Sequence, residues 1–221
     1  MTIQWFGQSC FKITAKSPNA ADTIIITDPF SNTCGLKRPK LVADIITLHN
    51  SQSTDLDYKS IKGTTDTPEP FVVKSPGEFE TNNVFVYGIP STCEHNDKNK
   101  KINNTLYIIR VEHINIAHLG NICQKELTSK QLEFIEDADI LLIPVGNKDS
   151  LDAKQAAKLV SQIEPRIIIP MQYKIPGLKT NLDDVDKFIK EIGNNKEELD
   201  KLRITKKDLP QEETKLIILK P

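Results

Sequence analysis

Short apolar runs separated by polar turns fill the first half of the chain, and helical spacing enters only in the second. Ile3 to Phe6 and Cys10 to Ala15 alternate apolar and polar positions about Gly7-Gln8-Ser9, which predicts two short strands and a turn. Thr23 to Thr27 is a β-branched run and predicts a buried strand, ended by Asp28-Pro29 because proline cannot donate to the ladder. Ser31 to Lys40 reads as loop. Ile45 to Leu48 predicts the next strand, which runs straight into the polar stretch His49 to Asp55. Phe71 to Lys74, Phe79 and Val84 to Tyr87 predict a meander with turns at Ser75-Pro76-Gly77 and Thr81-Asn82-Asn83. Cys93 to Asn104 is polar, carries Lys98, Lys100 and Lys101, and predicts a mobile surface loop. Leu106 to Val111 and Ile114 to His118 predict a hairpin turning at Glu112-His113.

After Asn121 the period changes. Thr128 with Gln131 three residues on is a capping-box pattern, followed by Leu132 and Ile135 at helical spacing. Ile140 to Val145 predicts a strand of nearly continuous apolar character. Ala156, Leu159, Val160 and Ile163 lie on one face of a helix predicted over Asp152 to Ile163. Ile167 to Ile169 predicts a strand stopped by Pro170. Leu182, Val185, Phe188, Ile189 and Ile192 mark a second amphipathic helix ended by Gly193-Asn194. Glu197 to Leu199 reads as a short turn, and Leu216 to Leu219 as the final strand. Strands first and alternating helix and strand afterwards predict an α/β fold, two sheets face to face with helices outside, in one domain over residues 1–221.

A net charge of −1 gives no basic footprint, which argues against a nucleic-acid partner. No apolar run reaches the roughly 18 residues of a membrane span, and no signal-like segment opens the chain, so the expected location is cytoplasmic. Four cysteines, Cys10, Cys34, Cys93 and Cys123, lack any C-x-x-C spacing, and four reduced thiols are the expectation.

The polar stretch at the end of the Ile45–Leu48 strand sits where open α/β sheets bind ligands. Ala43-Asp44, the stretch Thr47 to Asp55 and the residues to Gly63 resemble the His-x-His-x-Asp-His loop of metallo-β-lactamase-fold hydrolases, in the small single-domain branch that resembles ascorbate-6-phosphate lactonase. The resemblance runs from Trp5 to about Gly193. Trp5-Phe6-Gly7-Gln8-Ser9-Cys10-Phe11 resembles a family opening with histidine at the Gln8 position, and Thr27-Asp28-Pro29-Phe30 resembles the strand end whose aspartate orients the metal loop. His118-Leu119-Gly120-Asn121 resembles a His-Leu-Gly-Asp run whose aspartate bridges two metals. Pro170-Met171-Gln172-Tyr173-Lys174 resembles Pro-Met-His-Tyr-Lys, whose histidine is the last ligand.

The resemblance implies a four-layer αββα sandwich and a pocket lined by former metal-site positions. These positions hold Gln8, Asn50, Gln52, Thr54, Asp55, Cys93, Asn121 and Gln172, supported by Asp28, His49, His118 and Lys174. Amides are poor zinc ligands, and loss of the bridging carboxylate removes the charge that holds two cations together. The expectation is a hydrolase homologue without cofactor or metal, catalytically inactive, serving as a binding or structural protein for a small molecule or protein, in a homo-oligomer. The alternative is an active hydrolase of phosphate-ester or lactone type, with zinc or manganese on a remodelled set such as His49, Asp55, Cys93 and His95.

Overall fold

The computed structural model describes residues 1–16, 21–37, 39–53, 56–64, 68–95, 100–147, 149–193 and 195–221, with side chains left aside at 93–95 and 100–102. In chain order the strands are β1 (Thr2–Trp5), β2 (Phe11–Ala15), β3 (Thr23–Thr27), β4 (Ile45–Thr47), β5 (Phe71–Val73), β6 (Gly77–Thr81) and β7 (Val84–His95). They continue with β8 (Lys100–Val111), β9 (Ile114–His118), β10 (Ile140–Pro144), β11 (Ile167–Met171), β12 (Lys196–Leu199), β13 (Leu202–Arg203) and β14 (Lys215–Leu219). The helices are α1 (Ser129–Ile135), α2 (Ala153–Ile163) and α3 (Val185–Ile192). Among the described residues, no helix is long and apolar enough to cross a membrane.

Two sheets result, a six-stranded one in the order β13-β1-β2-β3-β4-β5 and an eight-stranded one in the order β12-β14-β11-β10-β9-β8-β7-β6. Side chains alternate across a strand, so neighbours in sequence serve different layers. Ile25 and Ile45 face the core between the sheets, where Trp5 and Phe11 meet the same cluster as Leu106, Tyr107 and Ile116. Ile26 and Ile46 point the other way and pack with Phe30, Leu48 and Ile61, so loop residues cover the outer face of the six-stranded sheet. On the eight-stranded sheet that cover is helical. Ala156, Leu159, Val160 and Ile163 of α2 and Phe188 and Ile189 of α3 are buried in the main core, each large apolar side chain contributing about 1.5–3 kcal/mol. Thr128 and Asp152 cap α1 and α2 with complete capping boxes, which removes orphan amides at both helix starts.

Four expectations need correction. The polar segment from Cys93 to Asn104 is largely strand: β7 and β8 pair antiparallel all the way to Glu94↔Lys101 and His95↔Lys100, and only 96–99 fall outside the described residues. Ladder hydrogen bonds are backbone bonds, and a long hairpin carries polar side chains once its apolar half has set the register. Pro170 lies inside β11 rather than ending it. It pairs with Ile143 on one side, at a level beyond the short β11–β14 ladder at Ile167 and Ile168, so its missing N–H interrupts nothing there. Glu197 to Leu199 belongs to β12, which pairs in parallel with β14. Finally, Cys10 and Cys34 are free but Cys123 is disulfide-bonded, a pairing made by the fold and therefore invisible in the cysteine spacing.

Candidate functional site

The C-terminal ends of β3, β4, β9, β10 and β11 come together at one rim, where their loops enclose a cleft of about 370 Å³. Gln8 reaches it from the β1–β2 turn, Asp28 from the end of β3, His49 from the end of β4, Asn121 from the loop after β9 and Gln172 from the end of β11. Gln8, Asp28 and Gln172 hold the left-handed φ values of 50°, 40° and 53°. The Gln172 amide donates to the Gln8 carbonyl at 3.2 Å, and the Trp5 indole donates to the same carbonyl at 2.9 Å, so two distant turns are tied edge to edge.

Beneath the cleft lies a buried carboxylate with two histidines. Asp28 Oδ1 accepts the backbone N–H of His49 at 2.8 Å, and Oδ2 lies 2.8 Å from His49 Nδ1 and 3.6 Å from His118 Nε2. The Oδ2–Nδ1 contact has the distance of an ion pair without the alignment of a hydrogen bond, so its weight is electrostatic. Burial alone would push the Asp28 carboxyl up; the His49 ring and N–H, with His118 behind them, outweigh burial and hold it below the ordinary carboxylate range. The His49 loop is pinned from the other sheet, since Thr105 N–H donates to the His49 carbonyl at 2.8 Å and the Tyr107 hydroxyl to the Leu48 carbonyl at 2.9 Å.

His118 is wholly buried. Its Nε2 stands 3.1 Å from the Ser9 carbonyl and must carry the proton, because a carbonyl only accepts; Nδ1 is buried without a partner. Burial pushes its pKa down, only partly opposed by Asp28. A histidine kept neutral in the folded state costs stability in acid: below about pH 6.5 the unfolded chain takes up a proton that the folded chain refuses. Replacing His118 by glutamine keeps a donor toward Ser9 and removes the titration. The expected result is that the urea midpoint of the natural chain falls between about pH 6.5 and pH 5 while that of the variant stays flatter; equal slopes would show that His118 is not held neutral.

The other sequence-predicted positions distribute unevenly. Asn50 folds back on its own loop: its Oδ1 accepts Gln52 N–H at 3.0 Å and its carbonyl accepts Ser53 N–H at 3.2 Å, while Gln52 is exposed. Neither lines the cleft. Thr54 and Asp55 lie outside the described residues, as do the side chains of Cys93 and His95. Lys174 is exposed, its Nζ 3.6 Å from Asp184 Oδ2. The structure adds residues the sequence did not single out. Phe30, Asn147, Ser150 and Thr180 line the cleft. Buried Asn104 accepts Asn121 N–H at 2.9 Å and donates to the Leu119 carbonyl at 3.1 Å, so it sets the backbone that aims Asn121. The left-handed φ of 64° at Asn147 follows an Asn-favoured conformation, but the only sequence hint for Asn104 is an amide pair within a strand.

Residues 2–172 match the family model of the β-lactamase superfamily domain. This chain is a member of the β-lactamase superfamily. Its similarity to a UPF0173 metal-dependent hydrolase of Thermococcus onnurineus is 23% identity over 222 residues, covering 88% of this chain and 93% of that one. A UPF0173 metal-dependent hydrolase of Pyrococcus horikoshii is 28% identical over 123 residues, and that match spans only 53% of its length. A metallo-β-lactamase superfamily protein of Thermotoga maritima superposes with a TM-score of 0.77 at 28% identity, covering 99% of this chain and 98% of that chain. The two-sheet architecture is thus that of the superfamily.

Proposed function

We propose that this superfamily member has given up the metal chemistry of its relatives and uses the retained cleft to bind rather than to hydrolyse. The observation that carries the reading is the set of groups at the rim: Gln8, Asn121 and Gln172, three neutral amides, occupy the cleft where the family resemblance calls for imidazole and carboxylate ligands. The metal pair implied by the fold family does not fit the described donors. Zinc takes thiolate, imidazole or carboxylate in tetrahedral geometry, and among the described residues no group of three His, Cys, Asp or Glu side chains could hold a metal ion. Asp28, the buried carboxylate below the rim, is already engaged by His49 through both oxygens.

Metal analysis of protein purified without chelator tests this directly. The natural chain is expected to carry only traces of zinc, manganese or iron; near-stoichiometric metal would overturn the reading. The counterpart rebuilds the ligand set in one variant, with Asn50→His, Gln52→His, Thr54→Asp, Asp55→His, Cys93→His, Asn121→Asp and Gln172→His. Zinc uptake by this variant alone is the expected result, and its failure would count against the assignment of Asn121 and Gln172 to former ligand positions.

A further inference from the structure

A second recess lies at the pole of the sandwich opposite the rim. The end of β2, the start of β3 and the turns joining β6 to β7 and β8 to β9 enclose a groove of about 770 Å³, which shares no lining residue with the cleft. That volume is within the ~300–1,000 Å³ range of ligand pockets. Glu112 ties the walls together. Its Oε2 pairs with the Met1 ammonium at 2.8 Å, and its Oε1 accepts the Lys16 N–H at 2.6 Å.

The lining carries charge that the fold leaves unspent. Lys16 and Arg110 are exposed, and among the described residues neither has a carboxylate partner. Arg110 is held in place without being neutralised: its Nε donates to Asn115 Oδ1 at 2.9 Å, and its guanidinium carbon stands 5.7 Å from the centre of the Tyr87 ring. A guanidinium fixed in this way loses little freedom on meeting an anion. The lining carboxylate, Glu112, has both oxygens engaged by the contacts above, and Asp22 and Glu80 stand outside the lining. With the Met1 ammonium set against Glu112, Lys16 and Arg110 remain without counter-charge.

Cations on a surface are ordinarily solvated; here an aromatic side chain stands beside them. Val84 and Val86 point into the main core, so strand alternation turns Phe85 to the other face, where it belongs to neither core cluster. Phe85 is the cross-strand partner of Arg110 and is half-buried, its ring parallel to that of Tyr87 within 7° at a centroid distance of 6.4 Å. A flat ring packs on an aromatic face, and a phosphate or carboxylate on that ring forms charge-assisted hydrogen bonds with lysine and arginine.

We infer that this groove is a binding site for a small aromatic anion, a flat ring carrying a phosphate or carboxylate group, with the ring against Phe85 and the charge on Lys16 and Arg110. The assignment is independent of the reading of the cleft, because the two sites have no residue in common.

The test titrates the full chain with AMP and benzoate, with their uncharged counterparts adenosine and benzamide, and with the ringless anions ribose 5-phosphate and acetate. Calorimetry reads affinity and amide NMR shifts read the place of binding. At least one ringed anion is expected to saturate a single site, with its uncharged and ringless counterparts about tenfold weaker or worse, a difference of about 1.4 kcal/mol. The shifts are expected at Asn83, Phe85, Arg110 and Glu112 rather than at Gln8, Asn121 and Gln172. Lys16→Gln keeps the backbone bond to Glu112 and alters only an exposed side chain, so the variant folds and is expected to bind about tenfold more weakly. Phe85→Leu keeps apolar bulk on β7 while removing the ring, with an expected loss also of about tenfold. No saturation by either ringed anion, shifts confined to the rim, equal affinity for the uncharged counterparts, or unchanged affinity in both variants would overturn the assignment.

Discussion

Asp28→Ala is expected to lower folding stability by about 3–5 kcal/mol, because it leaves buried polar groups without the charge that satisfies them. Three elements meet at this side chain. The carboxylate ends β3, takes the N–H that starts the loop after β4, and stands beside the buried ring that ends β9. Alanine would also have to hold a left-handed φ of 40°, a conformation that costs an ordinary L-residue roughly 1–2 kcal/mol. Asp28→Asn is the informative control, since asparagine tolerates that backbone and keeps one acceptor for His49 N–H while dropping the charge. The gap between the alanine and asparagine variants in urea unfolding separates conformation and hydrogen bonding from electrostatics. The acid limb gives a second readout. A carboxyl depressed in the folded state contributes stability above its unfolded value near pH 3.9, and the contribution is lost as pH falls through the lower folded value. An alanine variant within about 1 kcal/mol of the natural chain would mean that exposed loops, not this buried tie, fix the cleft.

The elements that local patterning controls were legible in the sequence. The β-branched run Thr23 to Thr27, the hairpin turning through Glu112 and His113 with φ of 48° and 61°, and the capping box of Thr128 and Gln131 all stand where periodicity and turn chemistry predict them. What escaped depends on partners distant in sequence. The strand character of Cys93 to Asn104 comes from pairing across β7 and β8, and the place of Pro170 inside β11 depends on where the β14 ladder stops. The site divides the same way. Counting along a family pattern brings Gln8, Asp28, His49, Asn121 and Gln172 to one region, and the structure puts them around one cleft. The same counting cannot see that Asn50 satisfies its side chain on Gln52 N–H, a local alternative that short amide side chains take readily. Nor can it see Asn104, whose importance is its position between Leu119 and Asn121 across a strand pair.

Gly120→Ala is expected to cost about 2–4 kcal/mol and to abolish binding in the cleft, through crowding added to backbone strain. Gly120 has φ of +59°, and a Cβ there would stand 2.4 Å from His49 Cβ and 2.5 Å from Asn104 Oδ1. Neither neighbour can yield cheaply. His49 is held at its N–H by Asp28 and at its carbonyl by Thr105, and Asn104 Oδ1 is the acceptor for Asn121 N–H. A methyl group must therefore push the His49 loop off the buried carboxylate or break the bond that aims Asn121 into the cleft. Gly193→Ala supplies the comparison, because its φ of +110° is also unfavourable to a side chain yet nothing lies within 4 Å of the added Cβ. Because Gly193, at φ 110° and ψ 148°, lies in a region still less open to a side chain, the excess loss at Gly120 over Gly193, read from denaturant midpoints, is a lower bound on what the close approach of the two loops costs. If the two variants lose the same amount and the Gly120 variant still binds, then the loops after β4 and β9 are not braced against each other, and the convergence of His49 and Asn121 on one cleft has some other origin.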